Sequence, residues 1–269
     1  MPKPQPAHRH IATASQVTAH MHTLADAVQA RQMMKFFKTA PGEYGHGDRF
    51  LGIKVPETRR IAAMAGTLPL SEVELLLASP FHEVRLCGLL VLVKQFEAQC
   101  LRGKLDDLSA REMRDQIVDF YLAHAECANN WDLVDLTVYK IVGRWLLLPS
   151  RYSDSEKLAI VDGLAASSCL WRQRMSIVCT MEPLRHGDAS FTLRYAHRHL
   201  HHPHDLMQKA VGWLLREMGK RVSIDILRDF LRSEAHTMPR TTLRYAIERM
   251  PADERQLWLR AKQSVAGSS

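Results

Sequence analysis

After Thr67, apolar residues return every three or four positions along most of the chain. That spacing puts them on one face of an α-helix. Leu75, Leu76, Leu86, Leu89, Leu90 and Val93 follow it, as do Ile117, Phe120, Tyr121, Val134, Val138 and Ile141. Nothing sustains the alternation of a half-buried strand, and short pieces near residues 50–55 are the only strand-like candidates. The pattern predicts an all-helical chain. Residues 1–15 and 264–269 are expected to be unstructured ends, leaving 16–263 as a single repeat domain.

A repeat emerges when apolar helix ends are aligned with the residue that opens the following helix. Leu76 precedes Arg85 by nine residues, and the same interval separates Leu122 from Trp131, Ala165 from Arg174, Leu200 from Lys209 and Leu231 from Arg240. The second members are 46, 43, 35 and 31 residues apart, the length of a helix-turn-helix unit in an α-solenoid. Ser79-Pro80, Asn129-Asn130, Ser167-Ser168, His202-Pro203 and Met238-Pro239 suit the intervening turns, because such residues cap or start helices. Stacked units would align Arg85, Trp131, Arg174, Lys209 and Arg240 on one concave face. Helix N-termini and basic side chains there suit a duplex backbone. An all-α solenoid of helical repeats with a basic concave DNA-binding face is therefore the expected fold.

Composition narrows the class further. The chain has 269 residues, 46% hydrophobic and 24% charged, enough apolar material for a large core. Its longest purely apolar run, residues 89–93, is far short of the roughly 18 to 20 residues of a membrane span. The opening MPKPQPAHRHIATASQ lacks an apolar h-region, so export is not expected. Five cysteines form no CxxC pair and read as reduced thiols of a cytoplasmic protein. A formal charge of +7 makes a polyanion a plausible partner.

No GxGxxG, GxxxxGK[ST] or GxSxG motif is present. The cluster His197, His199, His201, His202 and His204 has no cysteine or carboxylate at a structural-site spacing, so it reads as surface histidines and no metal site is expected. The most pointed segment is NNWDLVDL. Trp131 and Asp135 are four apart and share a helix face. Beside phosphates a carboxylate repels DNA unless it serves a positive centre, such as an N-alkylated purine nucleotide passing through an oxocarbenium-like state. The alternative is a core Trp131 with Asp135 paired to a nearby arginine. Trp213, in QKAVGWLLREMGK with Arg216 and Lys220 after it, faces either the same groove or the next helical layer. In LWRQRMSIV, Arg174 is a phosphate-binding candidate and Trp171 a packing residue. In MPRTTLRYAIERM, Arg240 and Arg244 lie on one helical face.

The ordered set MKFFKTAPGEYGHGDRFLGIKVPETRR, NNWDLVD, LWRQRMSIV, QKAVGWLLREMGK and PRTTLRYAIERM resembles the AlkD-type DNA alkylation repair family, over residues 33–250. The resemblance implies HEAT-like repeats and cofactor-free excision of cationic alkylated bases, such as 7-methylguanine and 3-methyladenine, from double-stranded DNA. It implies that Asp135 is the catalytic carboxylate, that Trp131 and Trp213 flank the sugar, and that Arg174 holds nearby phosphates. Arg85, Lys209, Arg216, Arg240, Arg244, Phe36 and Lys38 complete the expected DNA-binding set. Phe36 stands where the best-known members carry tyrosine, Leu206 where they carry an aromatic, and PGEYGHGD is an insertion that reads as a DNA-contacting loop or hairpin. The expected activity is that of a monomeric, monofunctional alkylpurine DNA glycosylase. A non-catalytic binder of branched or distorted DNA and a protein-binding helical scaffold are the alternatives.

Overall fold

The computed structural model describes residues 10–261, and among them the fold is all-α with no strand. Its contacts gather into two compact units: one holds residues up to Leu133 with Pro149–Arg151, the other Val134–Leu148 and the chain from Tyr152 onward. Residues 1–9 and 264–269 of the expected unstructured ends, and 262–263 of the expected domain, lie outside the described residues. Residues 10–15 do not lack structure. Ile11 is buried and donates its N–H to the Met64 carbonyl, while Thr13 caps the first helix.

The first unit contains α1 (Ala14–Thr23), α2 (Ala27–Phe36), α3 (Val55–Met64), α4 (Leu70–Leu77), α5 (His82–Ala98) and α6 (Leu108–Ala123), and α7 (Trp131–Asp135) carries the chain into the second. Helix α5 is its centre. Thirteen of its residues are buried, from His82 to Phe96, and it packs against α3, α4 and α6. A helix apolar on all sides belongs inside. Arg114 of α6, fully buried, donates to the carbonyls of Gln99, Lys104, Leu105 and Pro149 and so closes the turns around it.

After a π-helical turn (Tyr139–Gly143), the second unit contains α8 (Arg144–Leu146), α9 (Asp154–Ala166), α10 (Leu170–Val178), α11 (Met181–Arg185), α12 (Ser190–Arg198), α13 (Asp205–Arg221), α14 (Ile224–Glu234), α15 (Arg240–Ala246) and α16 (Ala252–Ala261). Helices pair across short connections, α9 with α10 and α12 with α13, and α13 packs on both α10 and α15. This is the HEAT-like pairing that the sequence repeat predicts. Gly212 allows α13 to lie close against α15, since a Cβ there would lie 2.5 Å from the Thr242 carbonyl oxygen. Caps form where the sequence supplies them: Asp26, Asp107 and Ser223 accept first-turn N–H groups, and Ser153 with Glu156 makes a capping box.

Residues 50–54 are not a strand. The buried Glu83 carboxylate accepts the backbone N–H groups of Leu51, Gly52 and Ile53 at 2.8–3.1 Å, so these amides are satisfied by one side chain instead of a neighbouring strand. Gly52, at φ +89°, is required there, because a Cβ would meet the Asp26 carbonyl oxygen at 2.2 Å. Arg49 forms a single isolated bridge to Phe81. PGEYGHGD is likewise a run of turns and no hairpin: Gly45 donates to the Lys38 carbonyl and Asp48 to that of Gly45.

Candidate active site

In the second unit, α10 and the end of α7 bring together two of the residues singled out by sequence. Arg174 Nε donates to Asp135 Oδ1 at 2.8 Å and Nη2 to Oδ2 at 2.8 Å, a fork-on-fork ion pair. Nη1 donates to the Leu206 carbonyl. The arginine side chain is 6% exposed and the aspartate 15%. The sequence resemblance places Arg174 at the phosphates. Here its donors are turned to Asp135 and to the N-terminal turn of α13, so it orients the carboxylate and ties it to that helix. The pairing of Asp135 with a nearby arginine, one of the two readings left open above, is thus present. It leaves a half-buried anion in a defined orientation.

Trp213 is half-buried on α13, directly after Gly212. Arg216, one turn further on, is paired with Glu248 and lies near Glu217. Lys209 is paired with Asp205 at 2.6 Å. Arg240 donates to the Leu259 carbonyl at 2.7 Å, whereas Arg244 is exposed. Trp171 is buried, as its packing role requires. The histidine cluster is spent on local contacts: His199 meets Ser176 at 2.9 Å, His202 meets Gln173 at 2.8 Å, His204 caps α13 and His197 rests on the Phe230 ring. Burial pushes His199 down to about 4, helped by neighbouring His202 and Arg198.

In the first unit, Trp131 opens α7 from a stack of rings. Its indole lies 5.4 Å from Phe37 at 28°, and Phe37 in turn stacks on Phe50 at 5.1 Å. Phe36 meets Trp131 edge-on at 6.0 Å while remaining 65% exposed. Helix α2 ends here in a Schellman turn: Lys38 N–H bonds to the Lys35 carbonyl and Thr39 N–H to that of Met34, with Lys38 at φ +52° where glycine is usual. That turn presents Phe36 and Lys38 outward. Buried Asn130 accepts the Trp131 N–H at 2.9 Å and fixes the start of α7.

Arg85 is a correction. Only 5% exposed, it donates to the carbonyls of Ser79 and Cys127, to Asn129 and to Asp48. A guanidinium so committed is a structural tie, not a group offered to phosphates. The repeat alignment misplaced it because α5 is buried from its first residue, His82, onward, so its start offers no exposed basic position. Sequence reasoning also missed its neighbours. Asp48 and Asp132 bracket His82, whose Nδ1 and Nε2 lie 3.1 Å and 2.9 Å from the two carboxylates. No spacing rule links positions 48, 82 and 132.

The family pattern for DNA alkylation repair enzymes matches residues 17–250. Among solved structures, the chain is similar to a predicted DNA alkylation repair enzyme from Enterococcus faecalis, with 15% identity and a TM-score of 0.60. The match covers 85% of this chain and 97% of that one, and at this identity it speaks for the fold. No curated protein matches. No helix among the described residues is long and apolar enough to cross a membrane. With the pattern spanning nearly the whole described chain and the helical fold shared, this protein belongs to the DNA alkylation repair enzyme family.

Proposed function

We propose that the protein is a DNA glycosylase that releases cationic N-alkylpurines, such as 7-methylguanine and 3-methyladenine, from duplex DNA. The observation that carries this reading is the Asp135–Arg174 pair at the end of WDLVD, an oriented and only partly exposed carboxylate. An alkylated purine carries positive charge, so it is a good leaving group. When the bond from C1′ to the base nitrogen breaks, the base departs with the electron pair and becomes neutral, and positive charge appears on the sugar. Asp135 would stabilise that charge and position the water that adds to C1′, whose proton passes to the carboxylate or solvent. A fixed anion helps most where charge develops, because no reorganisation is needed at the moment of reaction.

Trp131 and Trp213 are the proposed flanking indoles, whose electron-rich faces also favour cationic character. Phe36, Lys38, Lys209, Arg216, Arg240 and Arg244 are proposed DNA contacts. Pairing with carboxylates does not remove Lys209 and Arg216 from this set, since partly exposed ion pairs are worth about 1 kcal/mol or less and exchange readily for phosphate. The product would be an abasic site without strand cleavage. Release of 7-methylguanine from methylated duplex, by wild type and Asp135→Asn side by side with binding followed in the same samples, tests the reading. Release by the wild type alone supports it. Tight binding without release by either would replace it with a non-catalytic DNA binder.

A further inference from the structure

Beneath Trp131 lies a set of buried ionisable groups that the proposed chemistry does not use: Asp48, His82, Arg85 and Asp132, each 6% exposed or less. We propose that His82 is a positioning residue for Trp131: as an imidazolium braced between Asp48 and Asp132, it holds the start of α7 and, through Phe37, the plane of the indole. The inference rests on the glycosylase reading only where excision is the readout.

Geometry sets the charge state. Each ring nitrogen faces a carboxylate oxygen, at 3.1 Å and 2.9 Å. A neutral imidazole has one N–H and one lone pair, so one of those contacts would oppose lone pairs. Both are hydrogen bonds only when the ring carries both protons. Charge balance agrees: Asp48 and Asp132 bring two negative charges, Arg85 one positive, and a protonated His82 leaves the buried set neutral. Burial by itself would push the imidazole down, but the charge and hydrogen bond of Asp132, with Asp48 behind them, outweigh it and raise His82 to about 9.

Two routes lead from that cation to Trp131. Asp132, its immediate neighbour on α7, accepts from His82 with Oδ2 while Oδ1 accepts the Leu133 N–H at 2.9 Å, so the clamp grips the helix backbone. The imidazolium also stacks on Phe50 at 4.6 Å and lies 5.1 Å from Phe37, the ring on which Trp131 rests. Asp48 further ties the end of the PGEYGHGD turns to Arg85, and Asn130 reaches the same carboxylate at 3.5 Å. The groups facing His82 are Asp48 from the turns, Asp132 from α7, and Arg85 from its own helix. Phe37 and Phe50 present rings, and Glu83 is turned to the amides of Leu51, Gly52 and Ile53.

The first test uses the wild-type chain without DNA. The Trp131 fluorescence, isolated as the difference between wild type and Trp131→Phe, is followed from pH 6 to 10. A change with its midpoint near pH 9 is expected; a difference signal constant across that range overturns the proposal. The second uses His82→Gln. Its single-turnover excision is expected to fall about tenfold, with Kd for methylated duplex changed less than about twofold, the mark of lost orientation. The alkaline fall in rate that His82 imposes on the wild type disappears in the variant. A folded His82→Gln that excises at the wild-type rate with the wild-type pH profile overturns the proposal. Wild type that excises nothing sinks the glycosylase reading alone, because the fluorescence titration stands without it.

Discussion

Arg174 grips both oxygens of Asp135, Nε to Oδ1 and Nη2 to Oδ2, each at 2.8 Å. The residues are 39 apart in sequence, yet the pair is what gives WDLVD a chemically directed end. A planar fork meeting a planar carboxylate fixes orientation as well as charge, which a lysine in the same place does not reproduce.

Asp135→Asn keeps the side-chain volume and removes the charge. Excision of 7-methylguanine is expected to drop by about 100-fold or more in single-turnover assays, as for other losses of preorganised charge at a reacting centre. Binding to the same duplex changes little. Undiminished excision in the variant discards Asp135 as the catalytic anion.

Arg174→Lys and Asp135→Asn form a double-mutant cycle with a definite expectation. If Arg174 acts through Asp135, each single change costs about as much excision as the pair, with a coupling on the order of 2 kcal/mol. Additive losses would instead return Arg174 to an independent contact with DNA.

Arg244 and Arg85 separate exposed from committed cations. Arg244→Ala is expected to leave the melting temperature within a degree or two and to reduce the slope of log K against log salt by about 1, the signature of one lost phosphate contact. Arg85→Ala strands the buried Asp48 beside His82 and is expected to destabilise the fold by about 3 kcal/mol in denaturant titrations. Wild-type stability in Arg85→Ala would refute its role as a tie.

His82 makes stability depend on pH in a stated direction. Its folded-state value is raised from 6.5 to about 9. The contribution is therefore fully present below pH 6.5 and is lost as pH rises through about 9, amounting to on the order of 3 kcal/mol. Urea midpoints from pH 6 to 10 should decline over that window in the wild type and much less in His82→Gln.

Gly212→Ala probes the helix crossing beneath Trp213. The new methyl would meet the Thr242 carbonyl oxygen and the Tyr245 Cβ, both at 2.5 Å. Separation of α13 from α15 is expected to cost about 1–3 kcal/mol. A thermal melt unchanged from wild type would show that the crossing relaxes freely.

The sequence by itself determined the helical class and the places where helices begin. Apolar spacing is local, and so is capping: Ser153 with Glu156, Asp26 and Asp107 act within a turn of where they stand. The junctions expected at 79–80, 129–130, 167–168, 202–203 and 238–239 do precede α5, α7, α10, α13 and α15 for that reason. Tertiary structure alone decided which polar residues meet. Arg85 and Arg174 read alike along the chain as basic residues early in a second helix, and both are buried. One is tied to Asp48 and the other to Asp135, because packing put a different carboxylate beside each. The same holds for residues 50–54, whose apolar pattern reads as strand until the Glu83 carboxylate, from α5, takes up their amides. Burial forces every charge and every N–H to find a partner, and the partner is supplied by whatever the fold brings near.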